Sequence, residues 1–405
     1  GFVSQSDSNE DGCVRHNIKM KLVRCLLLIA TLVMGGCASD DETLPVWAGG
    51  DGKRAAEPAK LVDIVETARF AIRWQYNLGD GGMTLLLPTV TKDAVYGVSG
   101  RGSLTRLDRT TGNIDWHIET GVSVSGGVGS GDGLVLIGSD KGEVLAYDEN
   151  GMLRWKSRVS SEVLSVPQVS DDTVIVRSGD GHITGLNVED GHQAWVYERS
   201  TPVLVVRSHA GLVIQRGVAY AGFAGGKLVA INAVDGSLIW EATISEPRGS
   251  TELDRISDIT SNPVVDADQV CAIAFQGNVA CVDIVQGTSL WNREISSDKG
   301  LMLLRSSLYF SDSKGLIYAL DKTTGSTIWK NEKFSLRESS TPYAMEKHLV
   351  FGDFEGYLHA LNREDGKLAS RIRLGESAIQ AQPIPLDDGL LVQTSNGGLY
   401  SLTLK

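Results

Sequence analysis

Gly102-Ser103-Leu104-Thr105-Arg106-Leu107-Asp108-Arg109-Thr110-Thr111-Gly112-Asn113-Ile114-Asp115-Trp116 carries the pattern that organises the whole chain. An apolar residue stands two and five places after the first glycine, and an acid six places after it. A second glycine and then a tryptophan follow. The same order opens at Gly142, Gly181, Gly226, Gly277, Gly315 and Gly356. The residues six places on are Asp148, Asn187, Asn232, Asp283, Asp321 and Asn362. The second glycines are Gly151, Gly191, Gly236, Gly287, Gly325 and Gly366. Tryptophan closes six of the seven units, at Trp116, Trp155, Trp195, Trp240, Trp291 and Trp329, and Ser370 stands there in the seventh.

Each position has a physical reason. The first glycine suits a tight hairpin turn that needs positive φ. Apolar runs such as Leu134-Val135-Leu136-Ile137 and Val174-Ile175-Val176 supply the strand before it. The Asp or Asn ends the next strand, because its side chain can accept a hydrogen bond from the backbone two residues on. The second glycine closes another turn, and the Trp lies on the outermost strand. Four short antiparallel strands in roughly 40 residues make one propeller blade.

The end of the chain fixes the count. Leu390-Leu391-Val392-Gln393, Gly397, Leu399 and Leu402 begin an eighth unit that lacks its outer strand. Phe70-Ala71-Ile72-Arg73-Trp74 has a strand and a Trp with no unit before it. Pairing the two segments predicts an all-β, eight-bladed propeller over residues 69–405, closed by an N-terminal strand. Closure removes the free sheet edges that invite aggregation.

Before the ring, Met20, Lys21 and Arg24 precede the apolar run Leu26 to Met34, which reads as a secretory signal. Residues 1–19 fit no part of such a signal and are expected to precede the true start at Met20. The run ends Met34-Gly35-Gly36-Cys37-Ala38, which resembles the bacterial lipobox, with Met34 where Leu is usual. That resemblance implies that residues 1–36 are removed and Cys37 is acylated. Ala38 as the second mature residue then implies the outer membrane, with the chain lipid-anchored on its periplasmic face. Residues 37–68 read as a tether from lipid to ring.

The net charge of −12 excludes the basic field of a nucleic-acid binder. Two cysteines remain outside the leader and the lipobox, Cys271 and Cys281. An oxidising compartment allows a disulfide between them; a pair of buried thiols is the alternative.

The period is uneven. Gly181 to Gly226 and Gly226 to Gly277 are longer than the other intervals. The extra residues fall near 199–217 and 245–262, in connections between blades, where binding faces are often found. Leu204 and Val206 could instead belong to an inner strand.

The repeat resembles that of the pyrroloquinoline-quinone dehydrogenases. In those repeats the Trp packs between neighbouring blades. Gly249-Ser250-Thr251-Glu252-Leu253-Asp254-Arg255-Ile256-Ser257-Asp258 narrows the likeness, and so does Glu355-Gly356-Tyr357-Leu358-His359. Both are similar to stretches of the BamB family, the propeller lipoproteins of the outer-membrane β-barrel assembly machinery. The resemblance implies a non-enzymatic scaffold without cofactor or metal. Its partners would be other lipoproteins of the complex and a BamA-type barrel protein, the latter bound through its periplasmic POTRA domains. The contact residues it implies are Leu204, Val206, Arg207 and Asp258. The family's second acidic position falls at Thr260.

A quinone-dependent dehydrogenase is the chief rival reading. It would call for adjacent cysteines and an acidic-amide calcium site, and the sequence offers neither. A sensor or cell-wall anchoring propeller would share the lipobox and the repeats but not the 249–258 stretch. Gly127-Val128-Gly129-Ser130-Gly131 precedes a strand, so it is no dinucleotide loop. His182 and His192 lack metal-ligand spacing.

Overall fold

The computed structural model describes residues 57–81, 85–200, 202 and 204–405. Cys37, the leader and most of the expected tether lie outside the described residues. The described residues form eight four-stranded antiparallel sheets and no helix. Blades 1 to 7 span 89–119, 124–158, 168–197, 212–243, 264–293, 301–331 and 343–373. Blade 8 joins 384–404 to Phe70–Asn77. The expected eight-bladed ring is the observed one.

The turn chemistry follows the repeat. In all seven full units the Asp or Asn side chain accepts the backbone N–H two residues on, at 2.8–3.1 Å. One turn departs from expectation. At Gly277 the positive φ belongs to its neighbour Gln276, at 51°. Gly277 is needed there for closeness: a Cβ would lie 2.4 Å from the Ser245 hydroxyl and 2.7 Å from that of Ser257.

Apolar side chains collect in eight clusters, one at each junction between neighbouring blades. The tryptophans lie across those junctions. Trp155 of blade 2 covers Gly191 of blade 3, where a Cβ would come within 2.4 Å of the indole. Its Nε1 donates to the Val188 carbonyl at 2.7 Å. Trp74, Trp116, Trp240, Trp291 and Trp329 repeat both contacts with the next blade. Trp195 covers Gly236 in the same way, but its Nε1 has no partner.

This arrangement explains Ser370. The blade that follows blade 7 has no second-glycine turn, because the two ends of the ring meet there. Phe70 to Asn77 pairs with Gly398 to Leu404, and Arg69 and Lys405 exchange backbone hydrogen bonds at 2.6 and 3.0 Å. A Trp at 370 would have no glycine to cover. Instead the chain before the closing strand crosses the junction. Thr67 donates to the Ala369 carbonyl at 2.9 Å, and Ala68 and Phe70 are buried among blade 7 and 8 residues.

Residues 57–68 are therefore bound to the ring, and the expected tether is shorter at this end. Ala59 N–H donates to the Ser335 carbonyl at 2.8 Å. Arg337 and Arg371 donate to the carbonyls of Ala59 and Val62 at 3.0 and 3.1 Å. Behind them lies a buried polar cluster. Arg337 pairs with Asp353 at 2.7 Å and with Glu355. His359, fully buried, bonds Asp353 at 2.9 Å through Nε2, and Arg371 Nε donates to its Nδ1 at 3.3 Å. Those partners assign a neutral imidazole with the proton on Nε2. The second quoted family-like stretch, 355–359, thus serves this cluster.

Cys271 and Cys281 face each other on neighbouring strands of blade 5, with Cα atoms 4.1 Å apart, and form a disulfide. Of the two alternatives left open by the sequence, the bridge is the one observed.

Two outcomes are expected. Gly191→Ala adds a Cβ at φ +73° against Trp155 and should cost about 2–4 kcal/mol in chemical denaturation. The second concerns pH. Burial pushes His359 below its ordinary 6.5, against the pull of Asp353. Burial alone would raise Asp353, but the bonds from His359 and Arg337 outweigh it and hold the carboxyl below its ordinary 3.8. Both groups are protonated more readily in the unfolded chain, so their contribution is full above the unfolded values and is lost on acidification. Stability measured against pH should fall from 6.5 downward for His359, and again from 3.8 downward for Asp353. In His359→Gln the first fall should shrink to the share of His348, which burial and the Lys347 charge also hold below 6.5.

Candidate partner-binding site

The two long connections both run from the outer strand of one blade to the inner strand of the next. The first joins blades 3 and 4. Leu204, Val206 and Arg207 lie in it, ahead of the inner strand Leu212–Gln215, so they are loop and not strand. Leu204 is 43% exposed and its neighbour Val205 47%. Val206 is half-buried. The Arg207 side chain is 73% exposed.

The second connection joins blades 4 and 5 and is built on a local turn. Thr251 N–H donates to the Asp254 carboxylate at 3.2 Å, and Asp254 N–H to the Thr251 hydroxyl at 3.1 Å. Arg255 Nε donates to the Gly249 carbonyl at 3.2 Å. Gly249 is required by close approach, since a Cβ there would lie 2.2 Å from that of Asp254. Leu253 projects from this turn, 66% exposed.

Asp258 ends the turn and ties the two connections together. It is 3% exposed. One carboxylate oxygen accepts Val206 N–H at 2.7 Å, and the other accepts Gly225 N–H at 3.0 Å. Its carbonyl accepts Phe275 N–H at 2.8 Å. Asp258 is expected from the sequence to meet a basic residue of a partner. In the structure it is buried, both oxygens are engaged inside the chain, and they hold the Val206 loop in place.

A cavity of about 270 Å³ opens beside that loop. Val205, Val206 and Arg207 line it together with Glu162 and Leu164 of the connection between blades 2 and 3 and Arg177 and Ser178 of blade 3. Arg207 pairs loosely with Glu162 at 3.8 Å. The Ser161 hydroxyl bonds the Glu162 carboxylate, and with Arg207 holds it below its ordinary range. Among the described residues, no three His, Cys, Asp or Glu side chains are grouped to hold a metal.

A family profile described as "Outer membrane protein assembly factor BamB" matches residues 100–331. A relative of that name from Nitrosomonas eutropha is 37% identical over 391 residues, covering 95% of this chain and 96% of its own. The chain belongs to the BamB family. The crystal structure of BamB from Moraxella catarrhalis matches with a TM-score of 0.77 at 25% identity, over 83% of this chain and all of that one. The quinohemoprotein alcohol dehydrogenase of Comamonas testosteroni matches at TM-score 0.67 and 14% identity, over 82% of this chain and 76% of its own. That likeness shows a shared propeller fold alone. The BamB relatives are named for outer-membrane protein assembly.

Membership of the BamB family sharpens one departure. Thr260, at the position of the second acid, is half-buried, and its hydroxyl donates to the Asp298 carbonyl at 3.4 Å. The exposed apolar Val205 and Leu253, and the charged cavity walls Glu162 and Arg177, are not among the residues the sequence reading picks out. Leu253 stands inside the quoted family-like stretch and could have been noticed there. Glu162 and Arg177 belong to another blade, so no local pattern marks them.

Asp258→Ala should leave two buried N–H groups without acceptors, at about 1–3 kcal/mol in total stability. Hydrogen exchange at Val206 and Gly225 should quicken, whereas exchange in the inner strand of blade 4 should not.

Proposed function

We propose that this protein is a periplasm-facing outer-membrane lipoprotein, anchored through acylated Cys37. It acts as a non-enzymatic scaffold of the β-barrel assembly machinery and binds the POTRA domains of a BamA-type protein through the connection between blades 3 and 4. The observation that carries this reading is the fixed, exposed display of Leu204, Val205 and Arg207. Asp258 holds the backbone beneath them, so little ordering is left to be done on binding. Two apolar side chains beside an Arg make a plausible hot spot, because apolar contact and a bidentate ion pair act at one point. Other lipoproteins of the complex have the remaining rim of the ring available.

The described part of the chain begins at blades 6 and 7, where Ala59 and Val62 are held, three blades round the ring from the connection between blades 3 and 4.

The test is a detergent pull-down from native envelopes with the Leu204→Ala plus Arg207→Ala variant beside wild type. Co-purification of a large barrel protein with POTRA domains by wild type only is the expected result. With isolated POTRA domains, Arg207→Glu should weaken binding by at least about tenfold, while the melting temperature stays put, since Arg207 makes only a loose exposed pair. Unchanged affinity would remove this loop from the interface.

A further inference from the structure

Two guanidinium groups share the face of Phe223, and they are not equivalent. Arg199 lies 5.8 Å from the ring centroid and has the Glu241 carboxylate at 3.3 Å. Arg177 lies 4.6 Å from the same centroid. Its Nη1 donates to the Gly211 carbonyl at 3.2 Å, and no carboxylate of the described residues is within ion-pair distance of it. Enclosure without a counter-charge pushes its pKa down to about 10. A guanidinium taken out of water is ordinarily paired, because the desolvation cost falls on the charged form.

Arg177 is not sealed off. It lines the cavity beside the Val206 loop, together with Arg207 and Glu162. Glu162 and Arg207 balance one another, so the cavity retains one uncompensated positive charge, that of Arg177. Leu164, Val205 and Val206 give the wall an apolar part, and Ser165, Ser178 and Ser208 line it beside them. At about 270 Å³ the cavity falls just below the roughly 300–1,000 Å³ of small-molecule sites. Its size suits one or two side chains of a protein partner.

We infer that the cavity between blades 3 and 4 is a carboxylate-binding pocket, in which Arg177 receives an Asp or Glu side chain of the partner while an apolar neighbour of that residue packs on Leu164 and Val206. The inference deepens the scaffold reading and rests on it, since the cavity shares Val206 and Arg207 with the proposed interface. A planar fork of N–H donors in the wall of a partly apolar pocket selects a carboxylate over an amide by charge and by paired hydrogen bonds. An acidic side chain entering the pocket also gives Arg207 a second acceptor, so the Glu162 pair can open without leaving a bare charge.

The experiment uses the full chain, with backbone amide resonances of Gly179 and Gly211 and the Arg177 Nε–Hε resonance as reporters. The probes are N-acetyl-Leu-Asp-Leu-amide, the same peptide with Asn in place of Asp, and inorganic phosphate. The Asp peptide should give saturable shifts and the Asn peptide none. Arg177→Met should weaken the Asp peptide by at least about tenfold, the worth of one charge-assisted pair. Arg177→Lys, which keeps the charge but loses the fork, should bind more weakly than wild type and more tightly than Arg177→Met. If Arg177→Met does not fold, wild type and the Lys variant decide. Equal response to the Asp and Asn peptides, no response to either, or tighter binding of phosphate alone would overturn the assignment. Titration of isolated POTRA domains onto wild type separates the two failures. POTRA binding without any Asp-specific shift sinks the pocket and leaves the scaffold. An Asp-specific shift without POTRA binding sinks the scaffold and leaves the pocket.

Discussion

The ring depends on one contact made seven times: an indole of one blade laid over a glycine of the next, six of them so close that no Cβ could be fitted. Sheet pairing holds each blade together but does nothing to join neighbours. Between blades side-chain packing does most of the joining, and the indole is a large piece of it, with backbone bonds such as Val124 N–H to the Gly100 carbonyl and ion pairs such as Arg109–Asp387 beside it. In six cases the indole N–H also reaches a carbonyl of the neighbouring turn, so angle and depth are set together. Each junction then buries its own apolar cluster, and stability accrues around the circle as it does along a solenoid. The eighth junction cannot use the device, because the chain ends meet at it. There the segment before the closing strand crosses to blade 7, with Thr67 on the Ala369 carbonyl and Ala68 and Phe70 buried, and does the work of the missing Trp.

Once the junctions are secured, the connections between blades are released from packing and can vary in length. The two longest are nevertheless not loose. Asp258 spends both carboxylate oxygens on backbone N–H groups from separate segments. A buried carboxylate in that position is costly to desolvate and is offset only by those bonds. The gain is a loop whose exposed side chains are held still. A residue that the sequence offers as a contact is in the structure a support for the loop beside it, so a substitution there disturbs the loop as well as any surface it displays.

Much of the fold was legible because its determinants are local and repeated. The Asp and Asn turns depend on residues two apart, and the closing strand could be found because an unmatched Trp74 and an unfinished last unit each lacked what the other had. What escaped the reading is set by long-range placement. The burial of Asp258 arises from segments 33 and 52 residues away in the chain. The binding of Ala59 and Val62 to blades 6 and 7 joins residues about 300 positions apart, so a polar stretch rich in small residues read as a free tether. Gly277 was read correctly as obligatory for the wrong reason: the strained backbone is at Gln276, and Gly277 is kept small by two serine hydroxyls.

The same propeller carries quinone chemistry in the dehydrogenases it resembles at 14% identity, so the ring itself does not decide between catalysis and scaffolding. The decision lies in what the rim displays. An enzyme needs groups converging on one reacting centre. Here the exposed apolar residues and Arg207 project outward from a connection between blades, and the charged cavity beside them opens onto the same loop. Arg177 belongs to the floor of blade 3, the most rigid kind of support the fold has, whereas Arg207 belongs to the loop. A partner that engages both would read a fixed charge and an adjustable one at once. That combination gives orientation from the first and tolerance of small displacements from the second, which suits a subunit that must stay bound while the assembly around it moves.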